Sequence, residues 1–270
     1  MSAADRWRSL LEAWALPPHL LRAVPDSPYE WPADLWRRMR QTGVGAAPTP
    51  TTRIVLSLLP GAGSLLDVGA GTGRASLPVA ARGYPITAVE RDPAMAEALR
   101  REAAAAGVEA RVVEGAWPVV AARVGRHDVV LSAHVVYDVP DLAPFLRALH
   151  EAARVAAVLE ASERHPWAGL TRYYQALHGL DRPHGPTAGL LAEVIEETLG
   201  VGPQVERWNG PARLPFADLQ ELVEWYRKRL LVPAARTTEL ADLLAPDIVE
   251  EDGWLSLGGE QGVVTLWWEV

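Results

Sequence analysis

Leu65-Leu66-Asp67-Val68-Gly69-Ala70-Gly71-Thr72-Gly73-Arg74 is the stretch from which the rest of this 270-residue chain can be read. An apolar run ends in an acid and passes straight into alternating glycines. Behind them Ala75, Leu77, Val79 and Ala80 continue at helical spacing. The pattern predicts a strand, a tight turn and a helix. Glycines at such a junction permit positive φ and let a ligand approach the backbone, and the first N–H groups of the helix add a partly positive end. A nucleotide-like ligand is expected there.

Spacing narrows the choice of ligand. A dinucleotide fingerprint, GxGxxG, would carry its third glycine where Arg74 stands, whereas this chain reads GxGxG. Asp67, two residues before the first glycine, places a carboxylate at the carboxyl end of the strand, where it can face a cationic ligand end. S-adenosylmethionine carries an ammonium and a sulfonium and no phosphate. The segment resembles motif I of the class I S-adenosylmethionine-dependent methyltransferases. Downstream, Gly83 stops the helix, Pro85 to Val89 read as a short strand, and Glu90 precedes a new helix start at Asp92-Pro93. An acid about 20 residues beyond the glycine turn, at the tip of the second strand, can accept from ribose hydroxyls.

The resemblance spans about residues 51 to 161 and implies an α/β, Rossmann-like sheet flanked by helices. An N-terminal helical appendage and a helical insertion near the C-terminus are added to it, divided as a cap (1–47) and an S-adenosylmethionine-binding domain (48–270). It further implies cofactor contacts from Asp67, Gly69, Ala70, Gly71, Gly73, Glu90 and Arg91. The turn Glu114-Gly115-Ala116-Trp117-Pro118 stands where relatives place an acid against adenine. Here the acid is displaced, so Gly115 and Ala116 are expected to contribute backbone and Trp117 its ring. Ser132 and Ala133, at the tip of a fourth strand (His127 to Ala133), complete the set.

Ligands of open parallel sheets gather beyond the carboxyl ends of the strands, which places His134, Tyr137 and Asp138 near the reacting methyl group. An acceptor that must lose a proton needs a base. His134 and Tyr137 are the catalytic candidates, with His134 first by position, although a pocket histidine bound to cofactor or backbone is as good a reading. Tyr29, Trp31, His134 and His165 are the candidate acceptor contacts, while Trp7, Trp14 and Trp36 read as packing. His178 and His184 read as acceptor contacts or as bystanders. Arg37, Arg38 and Arg40 read either as an anion site or as a solvated helix face. The Asn-Pro-Pro-Tyr type turn that holds planar nitrogens in some relatives is absent.

Composition bounds the function. A net charge of −8 advertises no broad basic surface, so nucleic acid is not the expected partner. The lack of cysteine excludes disulfides, thiolate metal sites and a cysteine nucleophile, and no metal-ligand spacing stands out. No apolar run reaches the roughly 18 residues of a membrane span, and the first residues are unlike a signal peptide, so a cytoplasmic protein is expected. Lys228 and Asn209 are the only residues of their types, which fits G/C-rich coding or a thermophilic source. The leading expectation is methylation of a small-molecule acceptor. RNA or protein methylation, a non-catalytic cofactor-binding or assembly protein, and a nicotinamide oxidoreductase remain open, as does the oligomeric state.

Overall fold

Leu65–Val68 (β1) and Ile86–Glu90 (β2) are buried along their whole length, as central parallel strands covered on both faces are. The structure is a computed structural model that describes residues 1–270 except 25, 29–34, 36–37, 39–47, 211–213 and 259–260. In chain order its elements begin with α1 (Ala3–Ala13), α2 (Pro18–Ala23), α3 (Pro50–Leu58), β1, α4 (Leu77–Ala80), β2, α5 (Pro93–Ala105) and β3 (Ala110–Glu114). They continue with α6 (Ala121–Val124), β4 (His127–Ala133), α7 (Leu142–Ala152), β5 (Ala153–Ser162), α8 (Thr171–His178), α9 (Ala188–Leu199) and β6 (Gln204–Gly210). Last come α10 (Leu219–Arg229), α11 (Thr237–Leu244), β7 (Ile248–Glu251), β8 (Trp254–Leu257) and β9 (Gln261–Glu269).

The large sheet runs β3-β2-β1-β4-β5-β9-β6. Its first five strands are parallel, and β9 lies antiparallel between β5 and β6. Strand order reverses between β1 and β4, and ligands of open sheets bind beyond the carboxyl ends at such a reversal. Side chains alternate across the sheet. Leu66, Val68, Val130 and Leu159 pack with Phe145 and Leu149 of α7, Val194 of α9 and Trp7 and Leu11 of α1. Leu65, Leu131 and Val158 pack with Val55 of α3 and Leu77 and Val79 around α4. The same alternation puts Asp67 and Glu160 on the α3/α4 face.

Several sequence expectations are met closely. Asp92 caps α5 by accepting from the N–H groups of Ala94 and Met95, with Pro93 in the first turn. Other elements differ. The helix expected directly behind the glycines is delayed to Leu77 and lasts four residues, because residues 71–76 continue as turns and Gly83 follows soon after. Pro18 takes the first position of α2. α10 begins at Leu219, capped by Asp218. The β7–β8 hairpin was not anticipated. Its signal is Asp252-Gly253, whose φ values of 51° and 78° suit a tight hairpin turn.

The helices between β6 and β9 do not enlarge the main core. With α8 and the hairpin they build a second apolar cluster that includes Tyr173, Phe216, Trp225, Tyr226 and Leu240. Leu35 joins that cluster and Arg38 donates to Glu221 at 2.8 Å, but the rest of the helix expected at 33–41 lies outside the described residues. Trp7, 1% exposed, seats α1 on the main core and donates its indole N–H to the Val139 carbonyl at 3.0 Å. Removing a buried Trp side chain costs about 3–5 kcal/mol. Trp7→Ala is expected to lower unfolding free energy by about that amount in urea titration. A loss below about 1 kcal/mol would show that α1 is not part of the cooperative core.

Candidate active site

The glycine turn is a backbone device first. Gly69, Gly71 and Gly73 have φ values of 73°, 56° and 86°. A β-carbon on Gly69 would meet Val135 Cγ2 at 2.3 Å, so this turn packs directly under the loop after β4. A β-carbon on Gly71 would meet nothing within 4 Å, which marks open space above that residue. Four of the turn's N–H groups are already in use. Gly69 and Ala70 donate to the Val89 carbonyl at 2.8 and 3.0 Å, Gly71 donates to Glu90 Oε2 at 2.8 Å, and Gly73 donates to the Ala70 carbonyl at 2.9 Å. A pyrophosphate would need these donors free.

Asp67 is 1% exposed, and neither carboxylate oxygen reaches hydrogen-bond geometry with a protein group. Burial pushes its carboxyl up to about 6, opposed by the neighbouring Ser76 hydroxyl and the Arg74 guanidinium. Glu90, also buried, is satisfied: Oε1 accepts from the Asp92 N–H at 2.8 Å and Oε2 from Gly71. It thereby ties the loops after β1 and β2 together. Arg91 is exposed and reaches Asp138, beyond β4, at 2.9 Å. Gly115 donates to the Glu90 carbonyl at 2.9 Å, so the loop after β3 joins the same rim, where Ala116 is exposed. Trp117 points elsewhere: its indole donates to the Phe145 carbonyl at 3.3 Å and its ring packs on the main core, away from an adenine-stacking role.

At the tip of β4, Ser132 is buried and donates its hydroxyl to the Val68 carbonyl at 2.9 Å, which locks β4 to β1 and takes that hydroxyl out of the cleft. Ala133 pairs in register with Glu160. His134 follows with φ 58°, its Nε2 lying 3.1 Å from Glu160 Oε1. The Tyr137 hydroxyl oxygen accepts from the Ser162 N–H, and burial pushes its phenol up to about 12. It stays protonated at neutral pH and suits a structural hydrogen bond better than a base. His165 is buried as well, stacked on Trp14 with ring centroids 4.0 Å apart and an interplanar angle of 11°. Its Nδ1 accepts from the Trp167 N–H at 3.2 Å, and burial, helped by the Arg182 charge, drives its pKa down to about 3. This neutral ring fastens the N-terminal segment to the end of β5; it is a packing joint before it is an acceptor contact. His178 lies at the Leu230 carbonyl, 2.6 Å away. Tyr29 and Trp31 lie outside the described residues, as do Trp36, Arg37 and Arg40.

Residues 65–157, which span β1 to the middle of β5, match a family model described as a methyltransferase domain. The match covers less than half of the chain. Solved structures share the fold. A TehB-like S-adenosylmethionine-dependent methyltransferase from Corynebacterium glutamicum matches with TM-score 0.50 and 18% identity, covering 88% of this chain and 96% of that one. Magnesium protoporphyrin IX methyltransferase from Synechocystis, solved with bound S-adenosylhomocysteine, gives 0.50 and 12% over 94% and 93%. The YcgJ protein of Bacillus subtilis gives 0.51 and 15% over 81% and 97%. No curated protein matches the sequence. The cofactor expected from the sequence resemblance is S-adenosylmethionine.

The residues present fit that cofactor. A buried carboxylate without a partner suits a cationic amino-acid end, and open space lies over Gly71. Two residues of the methyltransferase domain were missed as site residues in the sequence. Glu160 is one, and its signal was an acid inside the apolar run Val158-Leu159-Glu160-Ala161. Arg74, weighed only as an obstacle to a third glycine, is its ion-pair partner. Among the described residues no group of His and acids is arranged to hold a metal.

Asp67 makes the ligand-free domain pH-sensitive in an unusual direction. A carboxyl whose folded pKa is raised, from 3.8 to about 6, stabilises the fold below the unfolded value and loses that contribution as pH rises through the folded one. The loss is at most about 3 kcal/mol. Asp67→Asn is expected to remove this slope between about pH 4 and 6 and to leave the ligand-free protein more stable than wild type at pH 7, by urea unfolding. Parallel stability–pH curves for the two proteins would show that the carboxylate is not penalised by burial.

Proposed function

We propose that the chain transfers a methyl group from S-adenosylmethionine to a small-molecule acceptor. One observation carries this reading: an unpartnered buried carboxylate stands beside a glycine turn whose N–H groups are spent within the protein. Such a site favours a cation and offers little to a phosphate. Asp67 and the turn Gly69, Ala70, Gly71 and Gly73 hold the amino-acid end. Glu90, with Arg91 beside it, takes the ribose edge, the backbone of Gly115 and Ala116 borders the adenine, and Ala133 lies under the reacting centre. The cofactor supplies an electrophilic methyl carbon. The protein's part is alignment and exclusion of water, worth up to roughly 10⁵–10⁸ M in effective concentration.

His134 is the general base, since Tyr137 keeps its proton and His165 is packed on Trp14. The Trp14–His165 stack at the end of β5 supports reading the described part of residues 1–47 as a cap on the domain of residues 48–270, with α1 itself packed into that domain's main core. A small acceptor is favoured over RNA by the −8 charge. The Synechocystis neighbour is named for a small-molecule acceptor, and the fold alone does not fix the substrate. Among the described residues no helix is long and apolar enough to cross a membrane.

Calorimetric titration tests the cofactor. S-adenosylmethionine and S-adenosylhomocysteine are expected to bind, NAD is not, and Asp67→Ala or Glu90→Ala is expected to weaken binding at least tenfold, about 1.4 kcal/mol. With an acceptor found by labelled-methyl transfer to a panel of small hydroxyl compounds, His134→Ala is expected to lower kcat by about 10²–10⁴ while cofactor affinity holds. Transfer confined to RNA or peptides would overturn the small-molecule reading. A folded protein that binds neither cofactor form would overturn the enzyme.

A further inference from the structure

Glu160 is 2% exposed at the carboxyl end of β5, and the cofactor contacts assigned above make no use of it. Its carboxylate meets side-chain nitrogens from two separate elements. Arg74 reaches Oε1 from the turn behind the glycines, and His134 Nε2 lies 3.1 Å from Oε1. The backbone repeats the last contact, since the His134 N–H donates to the Glu160 carbonyl at 2.8 Å. On the neighbouring strand β9, Thr265 pairs in register with Glu160. Thr51 and Thr265 share a hydroxyl hydrogen bond of 2.7 Å, and Trp208 Nε1 donates to Thr265 Oγ1 at 3.1 Å.

His134 adopts φ 58°, a left-handed conformation that residues with a β-carbon seldom take. Such strain persists where the surroundings over-determine it, and it clusters at functional sites. Here a backbone bond and a ring contact to the same residue fix it. A neutral histidine that donates through Nε2–H carries its lone pair on Nδ1. Among the described residues no group pairs with that nitrogen, and 32% of the side chain is exposed.

We infer that Glu160 is a positioning residue that turns the His134 ring so that Nδ1 is free to accept a proton, which fits the site for a methyl acceptor with a hydroxyl group. This rests on the methyl-transfer reading. An alcohol or phenol needs its proton removed as it attacks, whereas a neutral amine attacks through a lone pair it already has. The acceptor oxygen gains the methyl carbon, the carbon–sulfur bond leaves its electron pair on sulfur, and the hydroxyl proton passes to His134 Nδ1. The imidazolium so formed keeps Nε2–H on the Glu160 carboxylate. Arg74 holds that carboxyl well below the usual range against the opposing effect of burial, so Glu160 orients the base and does not take the proton.

Histidine-selective ¹⁵N labelling tests the dyad without an acceptor, using S-adenosylhomocysteine as the probe ligand. His134 is expected as the Nε2-protonated tautomer, with a downfield Hε2 resonance that exchanges slowly with water. Glu160→Gln keeps the shape and removes the charge, so the resonance is expected to move upfield or vanish. Should that variant not fold, Glu160→Asp keeps the charge and withdraws the carboxylate by one methylene, and is expected to move the resonance upfield. A ring protonated on Nδ1, or a resonance unmoved by these substitutions, overturns the inference. Ligand binding measured on the same samples separates two failures. Binding with an unmoved resonance removes the dyad alone, whereas a folded wild type that does not bind removes the methyl-transfer reading.

Discussion

Three acids, Asp67, Glu90 and Glu160, are buried at the carboxyl ends of strands in one sheet, and the surrounding loops are arranged by how each is satisfied. Burying an ionised carboxylate without a partner is costly, so a folded chain must supply donors or hold the proton. Glu90 takes backbone N–H groups from two loops, and in doing so ties the glycine turn to the loop after β2. Glu160 takes side chains from two elements. Asp67 takes none in hydrogen-bond geometry, and its raised pKa records the cost. The one of the three left without a partner is Asp67, two residues before the glycine turn.

This uneven satisfaction divides the site into two halves. On the β1–β2 side the protein has spent its backbone donors and kept a negative charge in reserve, which suits a cationic cofactor. On the β4–β5 side it has spent its charges on each other, Arg74 against Glu160, and left a histidine ring partly open. Ser132 adds rigidity between the halves by bonding to Val68 across the two strands where the sheet order reverses. Rigid placement matters because methyl transfer depends on alignment more than on any single strong contact.

The N-terminal segment and the region after β5 are fastened by buried cations and rings. The Arg182 guanidinium lies over the Trp14 ring at 4.8 Å and donates to the Ala15 carbonyl at 3.2 Å, while Trp14 stacks on His165. Arg227 donates to Asp26 at 2.6 Å from α10. Planar guanidinium groups stack on rings and bond carbonyls at once, so they can be buried where an ammonium would be costly. A chain with a single lysine and many arginines is well supplied for such joints.

The sequence by itself determined the order of strands and helices through the domain, the glycine turn and the acids at the tips of β1 and β2. These rest on local chemistry: apolar runs, caps, glycine spacing and an acid next to a turn. The hairpin at Asp252-Gly253 was equally local and was legible in principle. Only the tertiary structure decided what each polar side chain spends itself on. Trp117 turns to the Phe145 carbonyl, Ser132 to Val68, and His165 into a stack with Trp14, because each partner lies far away in sequence and is brought near by the sheet. Glu160 shows the limit most clearly. Its place inside an apolar strand says that it is buried, but its partners Arg74 and His134 come from different elements, and no spacing within one segment could bring them together.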